Sequence, residues 1–512
     1  MLKDDYLTFI ALWLALETIS MVTPLCIAVT VLRLVSNHLV PVPAIFAHLA
    51  LLETLFYLFF FLPRRYVLDQ LPPAFTPRTR EERRELFYKC IETIPDLNRW
   101  FSIWFKGLEV SLLLRENVKT FLAWGFFNKT RVDVEDDEEL EEYLREIEMR
   151  TGRSYPSGSN QLEPCRVSTD RLCIQHKPLI YYMLTVSIAD TLCHILMSNM
   201  SFTHYRLPIT SAFRMFPLRP LALCSGTISP SPKLSYWYRP HMSRKHSPLL
   251  FIHGIGIGLQ LYTGLLHALL AQIGRGCEDG QIGILALEIM PISFRITDTL
   301  MPREEMVDEI RNILAFHGWT DFVIVAHSFG SILATHLLRR LTRECPTQKH
   351  SLVLVDPVTL SIHFAEIPYN FIYRKPRNAS ELLCSFASRD IGVCPSIMRL
   401  FDWTQNVLWL EEIADRPVVV FLAGKDVIID AEKLRQYLKK NGFMDSSSAK
   451  LEVNGRSELN KRTCDGRIVF HRDYNHGEIL IRSQGNQELV DAIIQASRQN
   501  VWLDRMVKRR LL

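Results

Sequence analysis

The chain has 512 residues, 59 of them basic and 55 acidic, for a net charge of +4, with 48% apolar residues. That length accommodates roughly two or three domains with ample core, and the near-balanced charge implies no nucleic-acid partner. Eleven cysteines, odd in number and without CxxC spacing, argue against a disulfide framework or structural zinc and for a reducing compartment.

Tyr6 to Leu32 is almost entirely apolar, interrupted by Glu17 and Pro24 and ended by Arg33. A second apolar run, Leu39 to Leu62, is interrupted by His48 and Glu53 and closed by Pro63-Arg64-Arg65. Each is long enough to cross a hydrocarbon layer of about 30 Å. The first is too long for a signal-peptide core, and its head, MLKDD, is not clearly basic. Residues 1–65 therefore read as a hydrophobic hairpin anchoring the chain in a membrane; the alternative is a pair of helices buried against the rest. Glu17 and Glu53 are costly in lipid and are expected to face each other, water or the headgroups. Arg64, Arg65, Arg78, Arg80, Arg83 and Arg84 outweigh the single Arg33 of the intervening loop. The positive-inside tendency then puts both ends of the hairpin in the cytosol; the organelle is not specified. The sequons at Asn128, Asn199 and Asn378 do not by themselves establish a lumen.

Residues 66–233 read as a helical region. Leu86, Cys90 and Ile94 recur at intervals of four in a helix from Thr76 to Ile94. Leu97 to Phe127 is rich in aromatics, for which a core is the commonest fate. Asp133 to Met149 is an acidic helix with one apolar stripe, Leu140, Tyr143, Leu144 and Ile147. Thr151 to Pro164 is a polar loop, and Pro178 to Met197 is another long apolar helix. It is broken by Asp190 and His194, a local i, i+4 polar pair rather than a metal site.

From about Leu234 strand-like and helical runs alternate, the signature of an α/β sheet. Strands are expected at Leu234–Tyr238, Pro248–His253, Ile284–Ile289, Phe322–Ala326, Leu352–Val355, Val418–Leu422, Lys450–Val453 and Ile468–Phe470. Helices are expected at Glu304–Phe316 and Gln487–Arg498, and after the Phe322 strand. Between about 361 and 413 there is no strand, and that segment sits where a cap over a site would be inserted.

The sharpest local feature is FVIVAHSFGSILATHL, Phe322 to Leu337. A β-rich run turns at His327-Ser328-Phe329-Gly330 and continues as an apolar helix. A serine on a tight strand-to-helix turn, with a small residue two before (Ala326) and glycine two after, is the nucleophile-elbow pattern. Three further stretches follow strands or lie near the end: FIHGIGIG at Phe251 to Gly258, LAGKDVIID at Leu422 to Asp430, and YNHGEIL at Tyr474 to Leu480. Together these four resemble the α/β-hydrolase superfamily, over roughly half the chain from about Leu234 to Arg498, with Ala326 in place of the usual first glycine of the elbow. The order Ser…Asp…His also matches.

The resemblance implies an α/β-hydrolase domain, residues 234–512, with a mostly parallel sheet and a helical cap. Its catalytic residues would be Ser328 as nucleophile, Asp426 as acid and His476 as base. Asp356, at the end of the preceding strand, is the alternative acid, and His471 the rival histidine; Asp430 reads as a helix cap. His253-Gly254-Ile255-Gly256 resembles the oxyanion loop, implying the backbone N–H groups of Ile255 and Phe329 as donors. No metal or nucleotide motif is present, so no cofactor is expected. The expected activity is serine hydrolysis of carboxylic, lipid-like esters at a membrane, with a cytosolic catalytic domain. An acyltransferase using the same residues and a non-catalytic scaffold are the alternatives. Substrate head group, acyl chain and oligomeric state are left open.

Overall fold

The computed structural model describes residues 5–35, 42–73, 78–276, 280–400, 402–445 and 466–498. Among these residues nine strands form one sheet: β1 (Thr203–Tyr205), β2 (Ser235–Arg239), β3 (Leu249–Ile252), β4 (Ile284–Glu288), β5 (Val323–His327), β6 (Leu352–Val355), β7 (Val418–Ala423), β8 (Met444–Asp445) and β9 (Gly466–His471). Their spatial order is β1-β2-β4-β3-β5-β6-β7-β9-β8. β1 and β2, and β2 and β4, pair antiparallel; every other neighbouring pair is parallel.

The parallel strands are apolar without alternation because both faces of the sheet are covered. Leu250, Ile252, Ile324, Ala326, Leu352 and Leu354 face one core. Their neighbours Leu249, Phe251, Val323, Val325, Val353 and Val355 face another, packed by the helices Thr263–Gly276 and Ser483–Ser497.

The first core does not stop at the sheet. It runs on through Phe87, Trp100, Trp104, Phe121, Trp124 and Tyr143 of the helical region, so the aromatic-rich section is core. The Trp100 indole N–H donates to the His363 carbonyl at 2.8 Å. The elements of the helical region arise locally. Thr79 and Glu82 make a reciprocal capping box at the start of Arg80–Thr93. The acidic helix runs Asp137–Thr151, a little later than expected, because it begins on three acidic residues and ends at the left-handed Gly152.

Three expectations need correction. The region below residue 234 is not wholly helical, since β1 lies in it. That strand is three residues long and edge-paired, too short to leave a periodic trace. Asp190 does not pair with His194. Its Oδ1 accepts from Arg219 at 2.8 Å and Arg295 at 2.7 Å. β8 lies at Met444–Asp445, which had not been expected as a strand. The strand expected at Lys450–Val453 lies outside the described residues, as does most of the loop between the two apolar runs.

The first apolar run is one helix, Tyr6–Val35; the second is helical from Ala44 to Asp69. Both are long and apolar enough to cross a membrane. Glu17 and Glu53 do not meet. Glu17 is exposed near Ser20. The Glu53 carboxylate is buried and accepts from Thr23 at 2.5 Å and from the Leu179 N–H at 2.6 Å, with His176 at 3.1 Å.

Candidate active site

β5 delivers Ser328 to the carboxyl edge of the sheet, and the helix Gly330–Glu344 leaves from it. Ser328 has φ +52°, a left-handed conformation that a residue with a Cβ adopts only under constraint. The small flanking residues explain how the turn closes. A Cβ on Gly330 would lie 2.5 Å from the Ile252 carbonyl oxygen, and one on Gly254 would lie 2.9 Å from the Ser328 Cβ. The elbow and the HGIG loop therefore touch backbone to backbone.

A hydrogen-bonded pair holds that contact. The Gly254 N–H donates to the Tyr262 hydroxyl at 2.9 Å, and the hydroxyl in turn donates to Nδ1 of His327 at 2.7 Å. Burial pushes His327 well below the ordinary histidine range, so it stays neutral and able to accept there. His253 anchors the other side of the loop, its Nε2 accepting from the Ile289 N–H at 3.0 Å. Neither Tyr262 nor His327 stood out in the sequence as part of the site. Tyr262 lies in the turn after the glycine-rich loop, and only its proximity to the elbow gives it a role.

His476 follows β9 in the turn before Glu478–Leu480. Its Nε2 lies 2.8 Å from Ser328 Oγ and its Nδ1 lies 2.6 Å from Asp426 Oδ2. The other oxygen of Asp426 accepts from the N–H groups of Ile428 and Ile429 at 2.7 and 3.0 Å, which fixes the carboxylate on its turn after β7. Burial alone would lower His476, but Asp426, and more weakly Asp356, raise it above the ordinary range. His471, the rival, stacks on Tyr474 with ring centroids 4.4 Å apart and lies 3.3 Å from Glu488. Asp430 caps its helix, accepting from the Lys433 N–H at 3.1 Å.

Asp356 is close to both residues but bonded to neither. It is buried at the end of β6 with φ +42°. Its two oxygens accept from the Ala423 N–H at 2.9 Å and the Gly477 N–H at 2.8 Å. It thus ties the strand that carries Asp426 to the turn that carries His476. Burial and then the Asp426 charge push its carboxyl upward. One ligand atom each of Asp356, Asp426 and His476 lies within 4.8 Å of the others. A metal does not fit there: the oxygens of Asp356 point at backbone N–H groups and both nitrogens of His476 are engaged.

The site opens on a cavity of about 440 Å³. Ser328, Phe329, Ile255 and His476 line its reactive end. Among the described residues, the segment between β6 and β7 has no strand, and its Ile362, Ile367, Phe371 and Leu383 wall the cavity with apolar side chains.

A sheet in this strand order, an elbow serine after β5, an acid after β7 and a histidine after β9 define one architecture. The chain has the α/β-hydrolase fold. No family model matches the chain, and no curated protein matches it. Among solved structures it is similar to a membrane phospholipase A described as a bacterial virulence factor. That match is 14% identical and covers 61% of this chain and 94% of the other, with a TM-score of 0.36. The carboxyl esterase 2 (TmelEST2) from the mycorrhizal fungus Tuber melanosporum is 17% identical, over 51% and 80% of the two chains, with a TM-score of 0.32. The carboxylesterase CesB (YbfK) from Bacillus subtilis is 9% identical over 60% and 98%, with a TM-score of 0.33.

Proposed function

We propose that this protein is a membrane-associated serine hydrolase that cleaves carboxylic, lipid-like esters through an acyl-enzyme. The observation that carries the reading is the unbroken line Asp426–His476–Ser328, at 2.6 and 2.8 Å, opening on an apolar cavity. Ser328 Oγ attacks the ester carbonyl carbon while His476 Nε2 takes its proton. The carbonyl oxygen becomes an oxyanion facing the N–H groups of Phe329 and Ile255, donors of a kind worth about 3–4 kcal/mol each. Collapse breaks the ester C–O bond, and His476 returns the proton to the departing alkoxide. Water then attacks the acyl-serine by the same steps in reverse and releases the carboxylic acid. Asp426 keeps the proton of His476 on Nδ1 and stabilises the imidazolium.

A fluorophosphonate probe should label Ser328 in the full-length protein, and the protein should turn over a short-chain aryl ester. A folded protein that does neither would end the reading. Product analysis with an added alcohol distinguishes hydrolysis from acyl transfer.

Asp426→Asn should lower kcat/KM by about 10⁴-fold, because the amide favours the wrong imidazole tautomer. Asp356→Asn should cost much less, since it disturbs only the tie between the end of β7 and the turn that carries His476, not the imidazole itself. The reverse ranking would move the acid to β6. The pH profile follows from the same pair. Only neutral His476 accepts the serine proton, so activity falls as pH drops through its pKa. With Asp426 raising it, the limb of kcat/KM should lie alkaline of the ordinary 6.5, and Asp426→Asn should move it toward acid. The imidazolium–carboxylate pair contributes stability fully below 6.5 and loses it as pH rises through the folded value.

The hairpin and the arginines after it support a cytosolic catalytic domain. The full chain should pellet with membranes, resist carbonate extraction and be open to protease added to sealed microsomes. Asn128, Asn199 and Asn378 should then carry no glycan. A glycan at any of them, with protection from protease, would invert the orientation. Release by carbonate would instead favour helices that pack on the domain.

A further inference from the structure

The helix that closes the cavity beside the elbow carries a feature the hydrolase chemistry does not use. From Tyr181 to Asn199 it is helical, with a wide π-type first turn. Its inner face is packed by Tyr182, Val186, Cys193 and Met197, while Tyr181 and Thr185 line the cavity. On its outer face Leu184, Ile188, Leu192 and Ile195 form an exposed row at helical spacing, 45–54% accessible. No charged residue interrupts the row: Asp190, on the flank, is taken by Arg219 and Arg295. Soluble surfaces rarely leave a continuous apolar row of this length uncovered.

The helix that bears the row meets the apolar hairpin at its N-terminal end. It starts beside Leu179, whose N–H donates to Glu53 at 2.6 Å, and the ring of Phe56 packs at 5.7 Å from Phe216 and 6.1 Å from Tyr182. Glu53 is the tenth residue of the Ala44–Asp69 stretch, so it lies about 14 Å along the helix at 1.5 Å per residue. That is close to the middle of a hydrocarbon layer of about 30 Å. A hairpin that crosses the layer therefore carries the joint, and the start of the Tyr181–Asn199 helix, down to hydrocarbon depth. Glu53 is tolerable there because Thr23, His176 and the Leu179 N–H satisfy it. The Tyr6–Val35 helix also packs on the cap helix Ala379–Ser388. The cavity rim also shows exposed apolar residues, Leu261 and Leu383.

We propose that the hairpin and the outer face of the Tyr181–Asn199 helix together seat the domain in the hydrocarbon layer, so that a bilayer-resident acyl ester enters the Ser328 cavity sideways from the membrane. This rests on the hydrolase reading above and names its substrate class as a membrane lipid rather than a soluble ester. Glu53 is then a joint that holds the cavity mouth at acyl-chain depth, not a charge facing the headgroups.

The test uses the full chain reconstituted in phosphatidylcholine vesicles. A benzophenone amino acid replaces Ile188 or Leu192, and, as a control, Val134, which is 94% exposed beside the acidic helix. Photolysis should crosslink positions 188 and 192, but not 134, to phosphatidylcholine. In parallel, the double variant Ile188→Asp, Leu192→Asp should keep the wild-type rate on a water-soluble short-chain ester. Its rate on a long-chain ester held in the vesicles should fall by at least about tenfold, because carboxylates are costly at that depth. Crosslinks to a protein instead of lipid, or equal effects on the two esters, would overturn the proposal. A wild type that hydrolyses neither ester would overturn the hydrolase reading and the entry route with it. Lipid crosslinks at 188 and 192 would in that case still decide what covers the face.

Discussion

Ser328→Ala will leave a folded protein that neither binds a fluorophosphonate covalently nor turns over a short-chain ester, a loss of about 10⁶-fold in kcat. The size of the effect follows from the proposed mechanism, in which Ser328 is the nucleophile. Ser328 Oγ is the group at 2.8 Å from His476 Nε2, and without it the imidazole has nothing to deprotonate except water. Folding should survive because, among the described residues, the hydroxyl bonds only to His476, while the backbone N–H of Ser328 still donates to the Val355 carbonyl at 2.9 Å. A companion variant separates chemistry from strain. Ser328→Gly should be equally inactive yet more stable than Ser328→Ala by about 1 kcal/mol, because glycine adopts φ +52° without penalty. Thermal unfolding of the two variants measures that difference. Wild-type turnover by folded Ser328→Ala would remove the mechanism altogether.

His476→Ala should lose activity on a similar scale, about 10⁵- to 10⁶-fold, while His471→Ala keeps most of it. The two histidines are five residues apart in sequence, and the difference lies in what each faces. His476 stands between Ser328 and Asp426, whereas His471 lies against Tyr474 and Glu488. Some stability should go with His476, on the order of 1–3 kcal/mol, because Asp426 would be left as a mostly buried carboxylate without its imidazole. Kinetics should therefore be measured well below the melting temperature of the variant. An active His476→Ala beside an inactive His471→Ala would reverse the assignment.

Much of this architecture was legible in the sequence because its signals are local. Phe322–Ala326, Leu352–Val355 and Val418–Leu422 are short, mostly β-branched apolar runs whose length suits strands covered on both faces, and the structure places strands there within a residue. The elbow is legible for the same reason. Ala326, Ser328 and Gly330 are constrained by contacts within one turn and with the loop just beyond the neighbouring strand. The two apolar runs declare their length and composition directly, and both are helices.

What stayed out of reach depends on how distant segments meet. Asp356 and Asp426 each follow a strand, and along the chain only the Gly424-Lys425-Asp426 turn favours Asp426 as the acid. What each carboxylate meets is set by β6 lying next to β7 and β7 next to β9, which turns the Asp356 oxygens to the Ala423 and Gly477 N–H groups and leaves the imidazole to Asp426. The partners of Glu53 are likewise set by packing. Thr23 is 30 residues away and Leu179 is 126 residues away, so no window along the chain contains the joint. Local spacing dictates which residues become strand, turn or helix, through backbone sterics and apolar periodicity. Which carboxylate meets the histidine, and where the apolar hairpin docks, is set by strand order and side-chain packing among segments with no fixed separation in the chain.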